Sequence, residues 1–274
     1  MRIQPFRDEL VELTSQWQGD RFEDGRPKVP DSVLEDLQEA TTEQVWAVLW
    51  DAGFLHQYEG NWLETNPGKP IVGRAVTSQF VPKRPDLDEV VLTAAAREGL
   101  VFGPDTQNWL VVESLVSHDV MVVDLFGKIY EGTFIGDNLA TAVATRTGVG
   151  AVIHGGIRDM MGIRELKAIN VFYRGVDPTP IRHVTLAGLN IPVRLGAATV
   201  LPGDVVFGTP SGVIFIPPHL AERAASLSRE TRLRDKFGKQ RLAERTYTSA
   251  DIDVPEWRSD IQADYNSWLA DGTQ

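Results

Sequence analysis

Two short apolar runs separated by a helical pattern constrain the fold of this chain more than any other feature. Val120–Leu125 (VMVVDL) and Val149–Ile153 (VGAVI) have the length and composition expected for buried parallel strands. Between them, Asn138–Arg146 has residues at the three-to-four spacing of one helix face, which predicts a helix. Consecutive strands joined by a helix predict an α/β fold built on a parallel sheet.

The flanking segments extend this pattern in both directions. Ile71–Phe80 alternates and is rich in β-branched residues, which indicates a strand, and Ile169–Tyr173 is expected to form another. Val184–Pro217 is rich in strand and turn signals, and Pro217-Pro218 opens a long helix that is predicted to reach Glu244. A helix is predicted after Pro30, with Asp31 as the cap of that helix, and another from the capping-box pair Thr41 and Gln44 to Ala52. Three more helices are predicted over Leu87–Gly99, Asn108–Val116 and Asp159–Lys167.

The chain is expected to form one main domain with an extension at each end. Residues 1–35 indicate an extended, polar N-terminal arm, and residues 246–274 form a C-terminal tail. Residues 36–245 between them are expected to form the α/β domain together with its long C-terminal helix. A chain of 274 residues with 42% hydrophobic residues has enough apolar material to bury a substantial core.

Composition excludes several classes of function. The net charge of −11 argues against nucleic acid or an anionic membrane as a partner, because both attract positively charged surfaces. The chain contains no cysteine, which excludes disulfides, thiolate nucleophiles, zinc–thiolate sites and iron–sulfur clusters. Its first residues lack the apolar core of a signal peptide, and no run approaches the ~18 apolar residues of a membrane-spanning helix. We therefore expect a cytoplasmic protein.

Polar residues follow both central strands at the point where each strand ends. Asp137 starts the helix after the first strand, and Arg158 and Asp159 come shortly after the second. If the two strands are parallel neighbours, these groups converge on one edge of the sheet, where open α/β sheets bind ligands. The helix start and the guanidinium suit a carboxylate, and the two aspartates offer oxygen ligands to a hard cation. Taken separately, a helix cap and a surface ion pair are the alternative interpretations.

The same residues carry a resemblance to a known family. Asp137, twenty further residues and then Arg158-Asp159 match the D-x20-R-D signature of the RraA-like proteins. The resemblance covers about residues 40–220 and includes the later Pro202-Gly203-Asp204 turn. The family includes 4-hydroxy-4-methyl-2-oxoglutarate aldolases, and many members bear a mistaken label as menaquinone methyltransferases. The resemblance implies a compact, layered α/β/α-type fold and assembly as a homotrimer or homohexamer with sites between subunits.

The resemblance also implies roles for individual residues. Asp159 resembles the direct ligand of Mg²⁺ or Mn²⁺, Arg158 the residue that binds the substrate, and Asp137 the acid that holds metal-bound water. Glu230 is the best match to a glutamate that the neighbouring subunit contributes in the aldolases. The backbone cradle for the oxo-acid end corresponds to Gly136, Asp137, Asn138 and Leu139.

Two features beside this site leave alternatives open. His154 is predicted at a strand end and suits either a general acid or base or a hydrogen-bonded structural histidine. The family often has an acidic residue there, and another departure falls at Thr209-Pro210-Ser211, so the far half of the substrate does not follow from the resemblance. Gly155-Gly156 is expected to let the backbone approach a ligand closely.

The leading hypothesis is a divalent-metal-dependent lyase that cleaves a carbon–carbon bond of a small 2-oxo acid or hydroxy acid through a metal-stabilised enolate. Aldol cleavage of a pyruvate-type substrate and decarboxylation of an oxaloacetate-type substrate share that enolate, so one site serves both. A sugar-acid dehydratase would use the same metal site differently. The alternative from another class is a non-catalytic, protein-binding regulator of the RraA type.

Overall fold

The computed structural model describes residues 1–100 and 107–272. Helices and strands alternate one by one between residues 107 and 176, whereas strand follows strand from residue 170 to residue 216. The strands are β1 (Tyr58–Glu59), β2 (Leu63–Glu64), β3 (Ile71–Pro82), β4 (Asp119–Asp124), β5 (Gly150–Ile157), β6 (Asn170–Val176), β7 (Val184–Leu189), β8 (Val193–Leu195), β9 (Ala198–Val200), β10 (Val205–Thr209) and β11 (Gly212–Ile216). The helices are α1 (Arg7–Leu13), α2 (Asp31–Leu37), α3 (Thr42–Asp51), α4 (Pro85–Arg97), α5 (Gln107–Glu113), α6 (Asp137–Thr147), α7 (Met160–Glu165), α8 (Pro218–Ala243), α9 (Ser249–Ile252) and α10 (Ser259–Ala270).

A mixed sheet forms the centre of the molecule. Its strands lie in the order β1-β11-β10-β3-β4-β5-β6-β2, β7 pairs with β3, and β8 and β9 form a separate hairpin. The four neighbours β3 to β6 are parallel, with Val120 of β4 opposite Gly150 of β5. The predicted α/β class and the parallel pairing of the two central runs are therefore confirmed.

Both faces of the parallel strands are buried, which explains why these strands read as continuous apolar runs. Met121 and Val123 of β4 belong to a core that includes residues of α4, α5, α6 and α7. Val120 and Val122, which point the opposite way, pack in a second core with the β8–β9 hairpin. A third core joins α2, α3 and α8 to the antiparallel strands β10 and β11.

The predicted helix starts have mixed outcomes. The capping box at α3 is confirmed, because Thr41 Oγ1 accepts from the Gln44 N–H and Gln44 Oε1 accepts from the Thr41 N–H. The prediction that Asp31 caps α2 is wrong, since Pro30 occupies the cap position and no side chain caps the helix. Asp31 Oδ1 instead lies 2.7 Å from Nη1 of Arg74, whose buried charge competes for it.

The N-terminal segment is more ordered than the predicted extended arm. It contains α1, at whose start Glu9 accepts a 2.6 Å hydrogen bond from the Phe6 N–H. Ile3 is buried in the core over the parallel strands. Further on, buried Arg26 pairs with Asp119 at the start of β4, 3.3 Å apart. The segment is thus tied to the edge of the sheet where the parallel strands begin, called the amino edge below.

The C-terminal segment packs along α8. Phe237 of that helix is fully buried against the rings of Trp257, Tyr265 and Trp268. None of the helices within the two described ranges is long and apolar enough to cross a membrane. The division at residues 35 and 245 stays a prediction, and residues 273–274 of the predicted tail lie outside the described residues.

Candidate active site at the carboxyl edge of the sheet

Two glycines near the end of β5 determine how the chain reaches the start of α6. The Gly156 N–H donates to the carbonyl oxygens of Lys128 and Gly132, and its own carbonyl accepts from the Phe134 N–H at 2.9 Å. The chain segment between β4 and α6 crosses these two glycines. A β carbon at Gly155 would lie 2.8 Å from the Leu125 side chain of this segment, and one at Gly156 would lie 3.0 Å from the carbonyl oxygen of Ile129. The expectation that these glycines admit a ligand is therefore corrected: they admit the chain segment that leads to α6.

The next residues join β5 to α6. The Arg158 N–H donates to the carbonyl of Ile135 at 3.1 Å, directly before the helix cap. Because β5 continues to Ile157, Arg158 and Asp159 lie just beyond its carboxyl end, as predicted. Asp159 has φ of 55°, in the left-handed region that aspartate tolerates better than most residues, and α7 begins immediately after it.

The three predicted side chains meet at the start of α6. A β carbon at Gly136 would collide with Asp159 Oδ2 and lie 3.1 Å from Nε of Arg158, so glycine leaves the space that these side chains occupy. Nε of Arg158 lies 3.4 Å from Asp159 Oδ2. The Asp137 carboxylate packs over Gly162 of α7, where a β carbon would lie 2.8 Å from Asp137 Oδ2.

These charged groups are accessible and only loosely paired. The side chains of Arg158 and Asp159 are 39% and 46% exposed. Within the described parts of the chain, this contact is the only ion pair of Arg158, and it leaves both Nη atoms free for a ligand. At the helix start, Asp137 Oδ1 accepts a hydrogen bond from the Asn138 N–H at 2.8 Å. This N–H is therefore not open to a ligand, although the sequence analysis expected it to belong to the backbone cradle.

The side chains surround a cleft of about 320 Å³. Its other wall comes from α5 and from the segment after β6, neither of which the sequence assigned to the site. These parts of the chain carry no spacing signal that would have identified them. The lining residues are Asn108, Trp109, Thr133, Phe134, Gly136, Asp137, Asn138, Leu139, Arg158, Asp159, Pro180 and Ile181.

Two residues proposed from the sequence lie elsewhere. His154 does not line the cleft; its Nδ1 lies 3.4 Å from Asp124 Oδ1 and its ring meets the edge of Trp62. Glu230 is exposed on α8 and is also absent from the cleft of its own chain. Its predicted contribution to a neighbouring subunit stays a prediction.

The site offers a metal ion two carboxylates and not a complete set of protein ligands. Among residues 1–100 and 107–272, no three aspartate, glutamate or histidine side chains are grouped so that they could hold a metal ion. Asp159 and Asp137 nevertheless flank the same glycine-lined helix start. Mg²⁺ commonly takes one or two protein carboxylates and keeps several waters, so this donor set fits such an ion.

The comparison with known families now identifies the family and its fold. The profile of the RraA-like family, described as Aldolase/RraA, matches residues 42–215, which contain the whole D-x20-R-D constellation. The chain belongs to the RraA-like family. The family assignment made from the sequence is thereby confirmed.

Two curated proteins are similar to parts of this chain. Protein DlpA of Legionella pneumophila is 27% identical over 189 residues, which cover 68% of this chain and 28% of that protein. A protein of Halalkalibacterium halodurans, provisionally named a 4-hydroxy-4-methyl-2-oxoglutarate aldolase, is 27% identical over 46% of this chain and 59% of its own length. The chain spans less than two thirds of the length of either relative.

Solved structures agree on the fold. RraAS2 of Streptomyces coelicolor, titled an unusual member of the RNase ES inhibitor RraA family, superimposes with a TM-score of 0.67 at 24% identity. The match covers 78% of this chain and all of that one. A protein from Pseudomonas syringae pv. tomato gives a TM-score of 0.65 at 20% identity over 83% of this chain and 95% of that one. The RraA-like fold of this chain thus extends beyond the residues that the family profile matches.

Proposed function

We propose that this RraA-like protein is a divalent-metal-dependent lyase that cleaves a carbon–carbon bond of a 2-oxo acid by retro-aldol cleavage, β-decarboxylation or both. The observation that carries this proposal is the meeting of Arg158, Asp137 and Asp159 at the start of α6, with the Nη atoms of Arg158 free. A guanidinium can bind a planar oxo-acid group through two parallel hydrogen bonds, a geometry that a lysine cannot supply.

Asp159, with Asp137 beside it, would hold the metal ion. The two oxygen donors suit Mg²⁺ or Mn²⁺, and the absence of a side chain at Gly136 makes room for the Asp159 carboxylate at the helix start. When bound, the ion would supply positive charge where the oxo oxygen becomes negative.

The chain's own groups would position the substrate and stabilise developing charge. Arg158 would bind the oxo-acid end and stabilise the enolate that forms when the carbon–carbon bond breaks. The positive end of the α6 dipole favours the same anionic end. Asp137 is not paired with Arg158 and would hold a water that carries protons to and from the reacting atoms. After cleavage, protonation of the enolate carbon would give the free 2-oxo acid product.

The test is pyruvate release from oxaloacetate and from 4-hydroxy-4-methyl-2-oxoglutarate, with Mg²⁺, with Mn²⁺ and with EDTA. Wild type is compared with Asp159→Ala, and Asp8→Ala on exposed α1 is the matched control. We expect metal-dependent release that Asp159→Ala loses and Asp8→Ala keeps. Metal binding without cleavage of either compound would favour another reaction, such as dehydration of a sugar acid. Absence of both would favour the protein-binding regulator.

We also propose that the protein assembles as a homotrimer or homohexamer. Trp109, which lines the cleft, is 51% exposed, and Met161 on the adjoining α7 is 85% exposed. A second copy would cover such apolar side chains beside the cleft. Light scattering would test this assembly, and an active monomer would contradict it.

A further inference from the structure

A second cavity lies apart from the candidate active site, between the N-terminal segment and the rest of the domain. Its volume is about 340 Å³, and none of the described residues that line it also lines the cleft at the carboxyl edge. One wall is residues 13–17, and the other comes from the chain after α3, from β9 and the turn after it, and from the start of α8. Residues 13–17 precede the residues that the family profile matches, and His219 follows them. The cavity therefore depends on segments outside the profile.

Hydrogen bonds within the N-terminal segment hold its wall of the cavity in place. Arg21 Nη1 donates to Thr14 Oγ1 at 2.7 Å and to the carbonyl of Gly25 at 2.8 Å. Arg21 Nη2 donates to the carbonyls of Thr14 and Trp17, at 2.9 and 3.0 Å. Nε1 of Trp17 donates to the carbonyl of Asp20 at 2.7 Å. The wall is thus formed before a ligand arrives, which reduces the entropy cost of binding.

The lining of the cavity is mostly apolar, and three of its side chains are aromatic. Trp17 belongs to the N-terminal wall, and Phe54 and His219 belong to the other, with their ring centroids 5.8 Å apart. A cavity of about 150 Å³ can hold one benzene molecule, so the larger volume here suits a molecule of two fused rings. Water beside apolar surface has few hydrogen-bond partners, and an apolar ligand displaces such water favourably.

One polar side chain of the lining differs from its neighbours in having no partner. Gln57 Nε2 already donates to the carbonyl of Phe215 at 2.9 Å, and Asp204 Oδ2 accepts from the Leu201 N–H at 2.8 Å. His219 is partly buried, and its ring nitrogens have no hydrogen-bond partner in the part of the chain that the structure describes. Burial lowers the pKa of His219, so its neutral imidazole has one N–H to donate and one nitrogen to accept.

The charge of the lining bears on the charge of the ligand. The described residues that line the cavity include no lysine, arginine or glutamate. Asp204 supplies the one carboxyl group among them, and burial raises its pKa to about 8, which keeps it protonated at neutral pH. A charged ligand would exchange water for apolar surface without meeting an opposite charge. An uncharged ligand avoids this cost.

We propose that this cavity binds an uncharged aromatic molecule of two fused rings, whose hydroxyl or ring N–H group forms a hydrogen bond with His219. The site is separate from the proposed lyase site and does not depend on that function. Its two walls join the N-terminal segment to the start of α8. A bound molecule would therefore stabilise the packing of this segment on the domain, because it binds the folded state alone.

Three naphthalene compounds of similar shape test the ligand class. At neutral pH, 2-naphthalenemethanol is uncharged, 2-naphthoate is an anion and 2-naphthylmethylammonium is a cation. Isothermal titration calorimetry with the full chain would give the Kd of each. We expect the alcohol to bind at least about tenfold more tightly than either ion. Equal or tighter binding of an ion would overturn the proposal, and so would the absence of alcohol binding up to its solubility limit.

Variants of the aromatic residues test the place of binding. Trp17→Ala removes part of the N-terminal wall and should weaken binding of the alcohol by about tenfold. Trp46→Ala is the control, because Trp46 is exposed on α3 and does not line the cavity. His219→Phe keeps an aromatic ring beside Phe54 but removes both nitrogens, and should weaken binding by about threefold to tenfold. Circular dichroism would show that each variant is folded.

Each contrary result with these variants overturns a different statement. Unchanged affinity in Trp17→Ala would place the alcohol elsewhere and overturn the site. An equal loss in Trp46→Ala would overturn it as well, since that residue lies outside the cavity. Unchanged affinity in His219→Phe would overturn the hydrogen bond with the imidazole. None of these results bears on pyruvate release, so the lyase function is tested separately.

Discussion

Arginine–aspartate pairs lie at both edges of the same parallel strands, yet in opposite environments. At the amino edge, the side chains of Arg26 and Asp119 are 3% and 0% exposed. At the carboxyl edge, Arg158 and Asp159 are 39% and 46% exposed and 3.4 Å apart. The same residue types thus form a sealed contact at one end of the sheet and an accessible one at the other.

The difference shows what burial does to a charged pair. Burial raises the pKa of Asp119 despite the lowering effect of the Arg26 guanidinium. Arg74 beside them donates to the carbonyls of Val29 and Ser117, so the amino edge is committed to internal contacts. Such pairs hold the N-terminal segment in place, whereas the free Nη atoms of Arg158 can bind a ligand.

A large effect at neutral pH is expected on stability at the amino edge. Asp119→Ala should lower the free energy of unfolding by about 2–4 kcal/mol, because it removes a partner of the buried Arg26. Urea denaturation would measure the loss. The double replacement Arg26→Met with Asp119→Leu should recover part of it, since no unpaired charge is left. A loss below about 0.5 kcal/mol would mean that Asp24, 2.7 Å from Arg26, is a sufficient partner.

At the carboxyl edge, Arg158→Ala should change activity rather than stability. We expect a loss of at least about 2 kcal/mol of transition-state stabilisation, or roughly 30-fold in kcat/KM, with unfolding changed by about 0.5 kcal/mol at most. Pyruvate release and thermal melts would measure both, with Arg164→Ala on exposed α7 as the control. Unchanged kcat/KM on a cleaved substrate would remove Arg158 from the mechanism.

A third expected effect is a dependence of the free energy of unfolding on pH, caused by a buried carboxyl group. Burial raises the pKa of Asp204, which lies beside β3, from 3.8 to about 8. The folded state keeps this proton between those pH values while the unfolded state releases it. The contribution of this proton to the free energy of unfolding is therefore fully present below pH 3.8. It is lost as the pH rises towards 8, by at most about 1.4 kcal/mol per pH unit.

Asp204→Asn should remove this dependence. The difference in unfolding free energy between wild type and variant, measured by urea denaturation at several pH values, should shift in favour of the variant as pH rises from 4 to 8. A pH-independent difference would show that the Asp204 carboxyl ionises alike in both states. The Leu201 N–H, which donates to Asp204 at 2.8 Å, can donate equally to the asparagine oxygen.

The smallest effect is expected at the exposed rim of the amino edge. The close approach of His118, whose Nδ1 lies 2.9 Å from Asp31 Oδ1, and then the hydrogen bond from Arg74 lower the pKa of Asp31. Its stabilisation is therefore present above pH 3.8 and lost as pH falls through the lower folded pKa. Because Asp31 is about half exposed, Asp31→Ala should cost less than about 1 kcal/mol at neutral pH and less in high salt. A larger loss would place this residue with the buried pairs.

The spacing of residues in the sequence was sufficient to predict where the charged residues of the candidate site lie. Apolar runs and helical periodicity are local, so they located the parallel strands and α6. The carboxyl ends of parallel neighbours share one edge of the sheet, and this brought Asp137 together with Arg158 and Asp159. The roles of these three residues in catalysis stay proposals.

The tertiary structure alone decided which other groups share that cleft. Asn108 and Ile181 reach it from segments far apart in the chain, and their meeting depends on how α5 and the segment after β6 pack. His154 points away because strand residues alternate between faces, and it pairs with Asp124 instead. Local pattern thus determined the elements and the charged centre of the site. Long-range packing decided which side chains of α5 and of the segment after β6 line the cleft, and which charged side chains are buried. Burial depends on contacts that no local pattern encodes.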